Sequence, residues 1–253
     1  MPLLDPVHQV LLVLTGVVAG LVSTIVSLAS LVSYPVLLAM GLPPVAANVS
    51  NTVGLVFTGL GSVLGSRREL AGQGRRVLAV GSLTAVAGAA GATLLLVTPP
   101  GVFTAVVPVL IAGGATAILV QPRLTLRSRT SGRPPSRWWA AGIGGAAVYI
   151  GYFGAAGGVL LLASLGGALR DTLIRLSALK NAVAGIANAV AAIGFVAFGP
   201  VRWDAAAPLA LGFLVGGRVG PVIARRLRPA WMRAAIVGSG YLVAVVLAAR
   251  TYL

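Results

Sequence analysis

Eight apolar segments, near 10–40, 45–65, 77–97, 102–120, 138–166, 176–198, 206–224 and 232–249, take up most of this 253-residue chain. Apolar runs of about 18 residues or more, separated by short polar breaks, are the signature of helices that cross a bilayer. Hydrocarbon offers backbone amides no water, so a spanning segment must satisfy its own N–H and C=O groups, as a helix does internally. The chain is 58% hydrophobic and 9% charged, with a mean hydropathy of +0.99. An all-α polytopic membrane protein is predicted, a single integral domain without a soluble catalytic module.

The hydrophobic pattern is stated twice, over 16–120 and 142–249. Each copy opens with a broken Gly- and Ser-rich segment, continues with an Asn-containing helix and a Gly-rich helix, and closes with an apolar helix. The charges fall on opposite loops in the two copies. In the first, the basic loop (Arg67, Arg68, Arg75, Arg76) precedes the Gly-rich helix, and Thr98–Gly101 after it is uncharged. In the second, Pro200–Asp204 before that helix is neutral, and Arg225, Arg226, Arg228 and Arg233 follow it. Basic loops remain cytoplasmic, so the two copies are expected to cross in opposite senses, an inverted repeat of the kind found in secondary transporters.

Placing every basic loop on one side requires that 138–166 enter and leave on that side, broken at Gly151, Gly154, Gly157 and Gly158. By symmetry 10–40 would be broken or re-entrant as well, bent at Ser27–Ser33. Each half then has three spans plus one discontinuous segment; eight complete spans are the alternative. The divisions expected are a first repeat over 1–120, a basic cytoplasmic linker over 121–137 and a second repeat over 138–253. The linker, Gln121–Arg137, holds five arginines and no acid, and reads as a mobile loop.

Composition removes several function classes. A net charge of +15 would point to nucleic acid in a soluble protein. Here the arginines sit in inter-helix loops, where orientation and anionic lipid headgroups explain them, so membrane lipid is an expected partner and nucleic acid is not. The absence of cysteine excludes disulfides and thiolate metal sites. The one histidine, His8, precedes the first span, and paired carboxylates are lacking, so neither a metal centre nor a catalytic dyad can be built in the membrane. No cofactor and no enzymatic activity are expected. Met1–Val10 lacks the basic start of a cleavable signal peptide.

Non-helical backbone inside a membrane is tolerated only where protein buries it or it lines a cavity. Half-helix N-termini expose N–H groups and a positive dipole end, and so attract anions. The first candidate site is therefore Ser27–Pro35, with Ser27, Ser30 and Ser33 as hydroxyl donors. The second runs from Tyr149 to Gly158, with the Tyr152 hydroxyl and close backbone approach at Gly157 and Gly158. Tight small-residue packing between helices is the rival explanation. Asn48 and Asn51 have a counterpart in Lys180-Asn181, with Asn51 and Asn181 aligned 130 positions apart. Lys180, the only lysine, either neutralises a bound anion or extends to the interface. Arg218, among the glycines of 212–220, either meets substrate or reaches the headgroups.

These residues resemble those of the TauE/SafE sulfite-exporter-like permeases. The resemblance rests on Gly16-Val-Val-Ala-Gly-Leu-Val-Ser, on Tyr34-Pro35 through Gly41-Leu-Pro-Pro to Asn48-Val-Ser-Asn51-Thr, and on Ala156-Gly157-Gly158 followed by Ala178-Leu-Lys-Asn181. It covers essentially the entire chain. It implies a multi-pass bacterial inner-membrane permease that moves sulfur-containing anions or small organic acids. Ser27–Pro35, Asn51, Gly157, Gly158 and Asn181 would then lie on the substrate path. The family's Gly-rich run is Ser27-Leu-Ala-Ser30 here, which exchanges flexible backbone for hydroxyl donors. The expected function is alternating-access transport of a small anion, with homo-oligomerisation left open. A non-transporting membrane scaffold or assembly factor is the alternative.

Overall fold

A computed structural model describes residues 5–130, 137–154, 157–224 and 230–252. Among them are eleven α-helices and no strand: α1 (Pro6–Val26), α2 (Ala29–Ala39), α3 (Pro44–Gly65), α4 (Arg67–Leu70), α5 (Gly74–Val97), α6 (Pro100–Thr130), α7 (Arg137–Tyr152), α8 (Gly157–Ala168), α9 (Leu173–Phe198), α10 (Trp203–Ala224) and α11 (Ala230–Tyr252). Six of the described helices are long and apolar enough to cross a membrane, lying within α1, α3, α5, α6, α9 and α10; α2 and α8 are shorter apolar helices. Their outer faces remain apolar, with Leu14, Val18, Leu94, Ile193, Leu211 and Val215 exposed. A bilayer is the solvent such a surface requires.

Both segments expected to be discontinuous are interrupted. The first breaks at Ser27–Leu28, between α1 and α2, and the second after Phe153 and Gly154, between α7 and α8. At each break the amide reaches five residues back, Ser27 to the Val22 carbonyl and Gly154 to that of Tyr149. Both residues have positive φ, +70° and +75°, the left-handed geometry that closes a helix C-terminus. The 21-residue α1 is about as long as the hydrocarbon is thick, at roughly 1.5 Å per residue against roughly 30 Å.

The stretch expected as a loop from Gln121 begins as helix, because α6 continues through it to Thr130. Its run of Arg, Leu and Thr lacks a strong breaker between Pro122 and Gly132, so helical bonding continues past the apolar part. Residues 131–136, and the arginines at 225, 226 and 228, lie outside the described residues.

Packing contacts recur in exchanged pairs. Helix α1 packs along α10, and α10 on α3; α7 packs along α5, and α5 on α9. Helix α3 crosses α9, and α6 pairs with α11. The short α2 rests on α1, α3 and α11, as the short α8 rests on α7, α9 and α6. Without a hydrophobic drive between helices, lipid-embedded contacts depend on backbones approaching closely, which small residues permit. A Cβ added to Gly216 of α10 would strike the Val17 carbonyl, and one added to Gly91 of α5 would strike that of Val148. Where α3 and α9 cross, a Cβ on Gly59 would stand 2.7 Å from the Gly185 Cα.

These contacts also set the register. Helices α3 and α9 begin at Pro44 and Leu173, 129 positions apart. Val183 accepts a bond from Thr84 of α5, and Gly54, 129 positions before it, meets Leu209 of α10.

Candidate functional site

One cavity opens where the two helix breaks face each other across the α3–α9 crossing. Ser23 and Ser27 line it from α1 and its end, Ala29 from the start of α2, and Gly154 and Gly158 from the second break. Helix α3 contributes Thr58, Gly59 and Ser62, and α9 contributes Lys180, Asn181 and Asn188. Its volume is about 40 Å³, enough for about three water-sized groups if one needs roughly 10–15 Å³.

Lys180 dominates the electrostatics. Its side chain is carried inward from the second turn of α9 and is 2% exposed, so it does not extend to the interface. The ammonium donates to the Ser27 hydroxyl oxygen at 2.5 Å. No acidic residue lines the cavity among the described residues. Ser27 accepts that bond and keeps its own O–H to donate. The Thr58 and Ser62 hydroxyls and the Asn188 carbonyl oxygen are buried without a hydrogen-bond partner. Buried polar groups normally have partners, so these two hydroxyls, which can donate, and the Asn188 oxygen, which accepts, form a site prepared for polar atoms that the chain does not supply. The N-terminal ends of α2 and α8 reach the same space through Ala29 and Gly158, adding their positive dipole ends.

Ser27 is the only non-glycine residue with positive φ among the described residues. That conformation costs an L-residue about 1–2 kcal/mol, and it turns the hydroxyl toward Lys180. Ser27→Gly removes the cost and the hydroxyl together. The melting temperature is expected to change little, because the relieved strain is offset by the partner lost to Lys180, while anion affinity falls. Affinity equal to wild type in a binding titration would remove Ser27 from the site.

The other expected site residues divide into two groups. Gly158 and Asn181 line the cavity with Ser27 and Lys180. Ser30, Ser33 and Asn51 instead form a buried cluster beside it, tying α2 to α3. Asn51 donates to the Ser30 hydroxyl at 3.0 Å, and Ser33 donates either to the Asn51 carbonyl oxygen at 2.6 Å or to the Ala29 carbonyl at 3.0 Å. Asn48 donates at 2.9 Å to the backbone carbonyl of Tyr152, the last residue of α7, and so ties α3 to the second break. The Tyr152 ring stacks edge-on against Phe103, 5.9 Å between centroids. Gly157 is a packing glycine, since a Cβ there would strike the Ile150 side chain. Arg218 is exposed, and its backbone receives the close approach of Gly61 and Gly65.

Ser23, Thr58 and Ser62 were not singled out as site residues from the sequence, whereas Gly154 was expected as part of the second break. Ser23 and Ser27, like Thr58 and Ser62, are four residues apart on one helix face, a polar stripe that helical periodicity makes visible. Lys180, Ala184 and Asn188 continue the same spacing along α9.

Outside the spans, the loops of the two halves are tied together. Asp171, between α8 and α9, accepts from Arg76 at 2.7 Å and from Arg175 at 3.2 Å. Arg175 also donates to the Ala71 carbonyl. The Thr172 backbone N–H, then Arg76 and Arg175, hold the Asp171 carboxyl below the usual carboxylate range. A lowered folded-state value stabilises the structure above the ordinary carboxylate range, and that stability is lost as pH falls through the folded value. Between about pH 7 and 5 the tie is expected to be unchanged. Below about pH 4 the wild-type melting temperature should fall more steeply than that of Asp171→Asn, and parallel curves would show that the tie is inert.

A search among curated proteins and another among solved structures each returned no match. A family profile described as "Sulfite exporter TauE/SafE" matches residues 12–247, a range that contains both helix breaks and the whole cavity. The multi-pass helical fold agrees with a family of membrane transporters. The chain belongs to the sulfite exporter TauE/SafE family.

Proposed function

We propose that this protein is a permease for a small sulfur-containing anion, held in the cavity by the Lys180 ammonium and the hydroxyls of Ser27, Thr58 and Ser62. The observation that carries this reading is a buried lysine without an acid beside it, in a cavity lined by the unpartnered hydroxyls of Thr58 and Ser62. Burying a charge is costly unless it is paired. An oxyanion supplies both the missing counter-charge and the missing acceptors. Asn181 and the α2 and α8 amide ends complete the donor set.

Transport proceeds by alternating access between two halves, α1–α6 and α7–α11, related as inverted repeats. Support comes from the exchanged packing pairs, the paired breaks with positive φ and the opposed loop charges. Asn51 with its two serines fixes α2 on α3, and Asn48 fixes the end of α7. Those contacts hold the break residues of both halves at one place while the halves move.

The test is a flux and thermal-shift screen of purified protein in liposomes with sulfite, sulfate, thiosulfate, sulfoacetate, taurine and short carboxylates. At least one sulfur anion is expected both to stabilise the protein and to cross. Failure of all of them, beside a family member active in the same vesicles, would end this reading and favour a scaffold.

A further inference from the structure

Among the described residues Lys180 is the only titratable side chain lining the cavity, and its surroundings constrain what its charge can do. No titratable residue occurs in α3 from Pro44 to Gly65 or in α8 from Gly157 to Ala168. Helix α7 brings Tyr149, whose hydroxyl donates to the Leu110 carbonyl, and Tyr152, whose ring lies against Phe103. Arg67, Arg68, Glu69, Arg75 and Arg76 of α4 and α5 lie toward the N-terminal end of α9, where Arg76 meets Asp171. Asp204 is paired with Arg202 at the start of α10. The counter-charge for a Lys180 ammonium must therefore come from the ligand.

A carrier passes through two reorientations in each net cycle, one loaded and one empty. In the loaded one, ammonium and anion offset each other. In the empty one, a lone ammonium would move through a low-dielectric interior with only the Ser27 hydroxyl as its protein partner, the state that buried ionisable groups avoid. A neutral amine meets no such penalty, and it still bonds to Ser27. We infer that Lys180 carries one proton with each anion, so that the protein is a proton–anion symporter. On the loading side the amine takes a proton from water as the anion enters. On the far side the anion and the proton both leave to water, and the site returns neutral. By linkage, proton and anion then raise each other's affinity.

This inference rests on the anion reading above, and the test separates the two. Vesicles holding the wild-type protein are given labelled sulfate, thiosulfate or methanesulfonate, with the membrane voltage held at zero by potassium and valinomycin. Exchange of labelled for unlabelled anion needs only the loaded state. Net accumulation against a gradient needs the proton. An inward gradient of one pH unit is expected to drive about tenfold accumulation of the exchanging anion, the equilibrium for one proton per anion. Lys180→Arg, which retains its charge throughout, is expected to exchange more slowly, with no response of its residual exchange to pH. Where that variant does not exchange, wild-type protein in weakly buffered detergent is expected to take up about one proton per anion bound. Wild-type exchange without pH-driven accumulation overturns the coupling, as does accumulation by Lys180→Arg or binding without proton uptake. Absence of wild-type exchange for these three and for the sulfite, sulfoacetate and taurine of the screen above overturns the anion reading and the coupling with it.

Discussion

Lys180→Gln is expected to lower the initial rate of anion uptake at sub-saturating concentration by about 30-fold or more. Removing one member of a buried, hydrogen-bonded charge pair costs about 2–5 kcal/mol, and each 1.4 kcal/mol is a factor of ten. The fold should survive, because the amide is close in length and can still donate to Ser27. Without ligand the variant is expected to melt near the wild-type temperature, since in the empty site the amide takes over the hydrogen bond to Ser27. Normal uptake would show that the cavity does not use the ammonium, whereas lost uptake with a lower melting temperature would show a structural lysine.

Asn51→Leu and Asn181→Leu should fail in different ways, although their positions look equivalent in the sequence. Asn51 holds Ser30 and Ser33 inside the protein. Its loss leaves the Ser30 hydroxyl buried without that partner, at about 1–3 kcal/mol for an orphaned group, while Ser33 keeps the Ala29 carbonyl. A clear drop in melting temperature is expected, with anion affinity nearly unchanged in the fraction that remains folded. Asn181 is half-buried on the cavity wall. Its replacement is expected to weaken anion binding with little change in thermal stability, because no internal cluster depends on it. Thermal melts with and without ligand distinguish these outcomes. The reverse assignment would contradict the packing register.

Much of the architecture was legible because the membrane imposes it. Helices are the one economical way to cross hydrocarbon, so the apolar segments mapped directly onto α1–α3 and α5–α11. Glycine and serine clusters marked both breaks; Gly154 takes the αL geometry without penalty, whereas Ser27 adopts it at a cost. The cavity was only partly legible. Polarity within an apolar segment flagged Ser27, Lys180 and Asn181, but it flagged Ser30, Ser33 and Asn51 equally. Whether a buried polar side chain bonds to its own protein or faces a cavity depends on the rotation of its helix. That rotation follows from contacts such as Gly216 against Val17 and Thr84 against Val183. The Tyr152 hydroxyl was the natural candidate by chemistry, yet its backbone carbonyl makes the contact to Asn48.

The chain contains no cysteine, so a single introduced thiol reports its own site. Ser23→Cys places that thiol on the cavity wall, and Ser33→Cys provides a buried control outside it. The measurement is the rate of modification by a small, water-soluble thiol reagent, with and without saturating sulfate or sulfoacetate, whichever the protein carries. Bound anion is expected to slow modification of Ser23→Cys several-fold and to leave that of Ser33→Cys unaltered. A Ser23→Cys protein that carries the anion, is modified readily and gains no protection would place the substrate elsewhere.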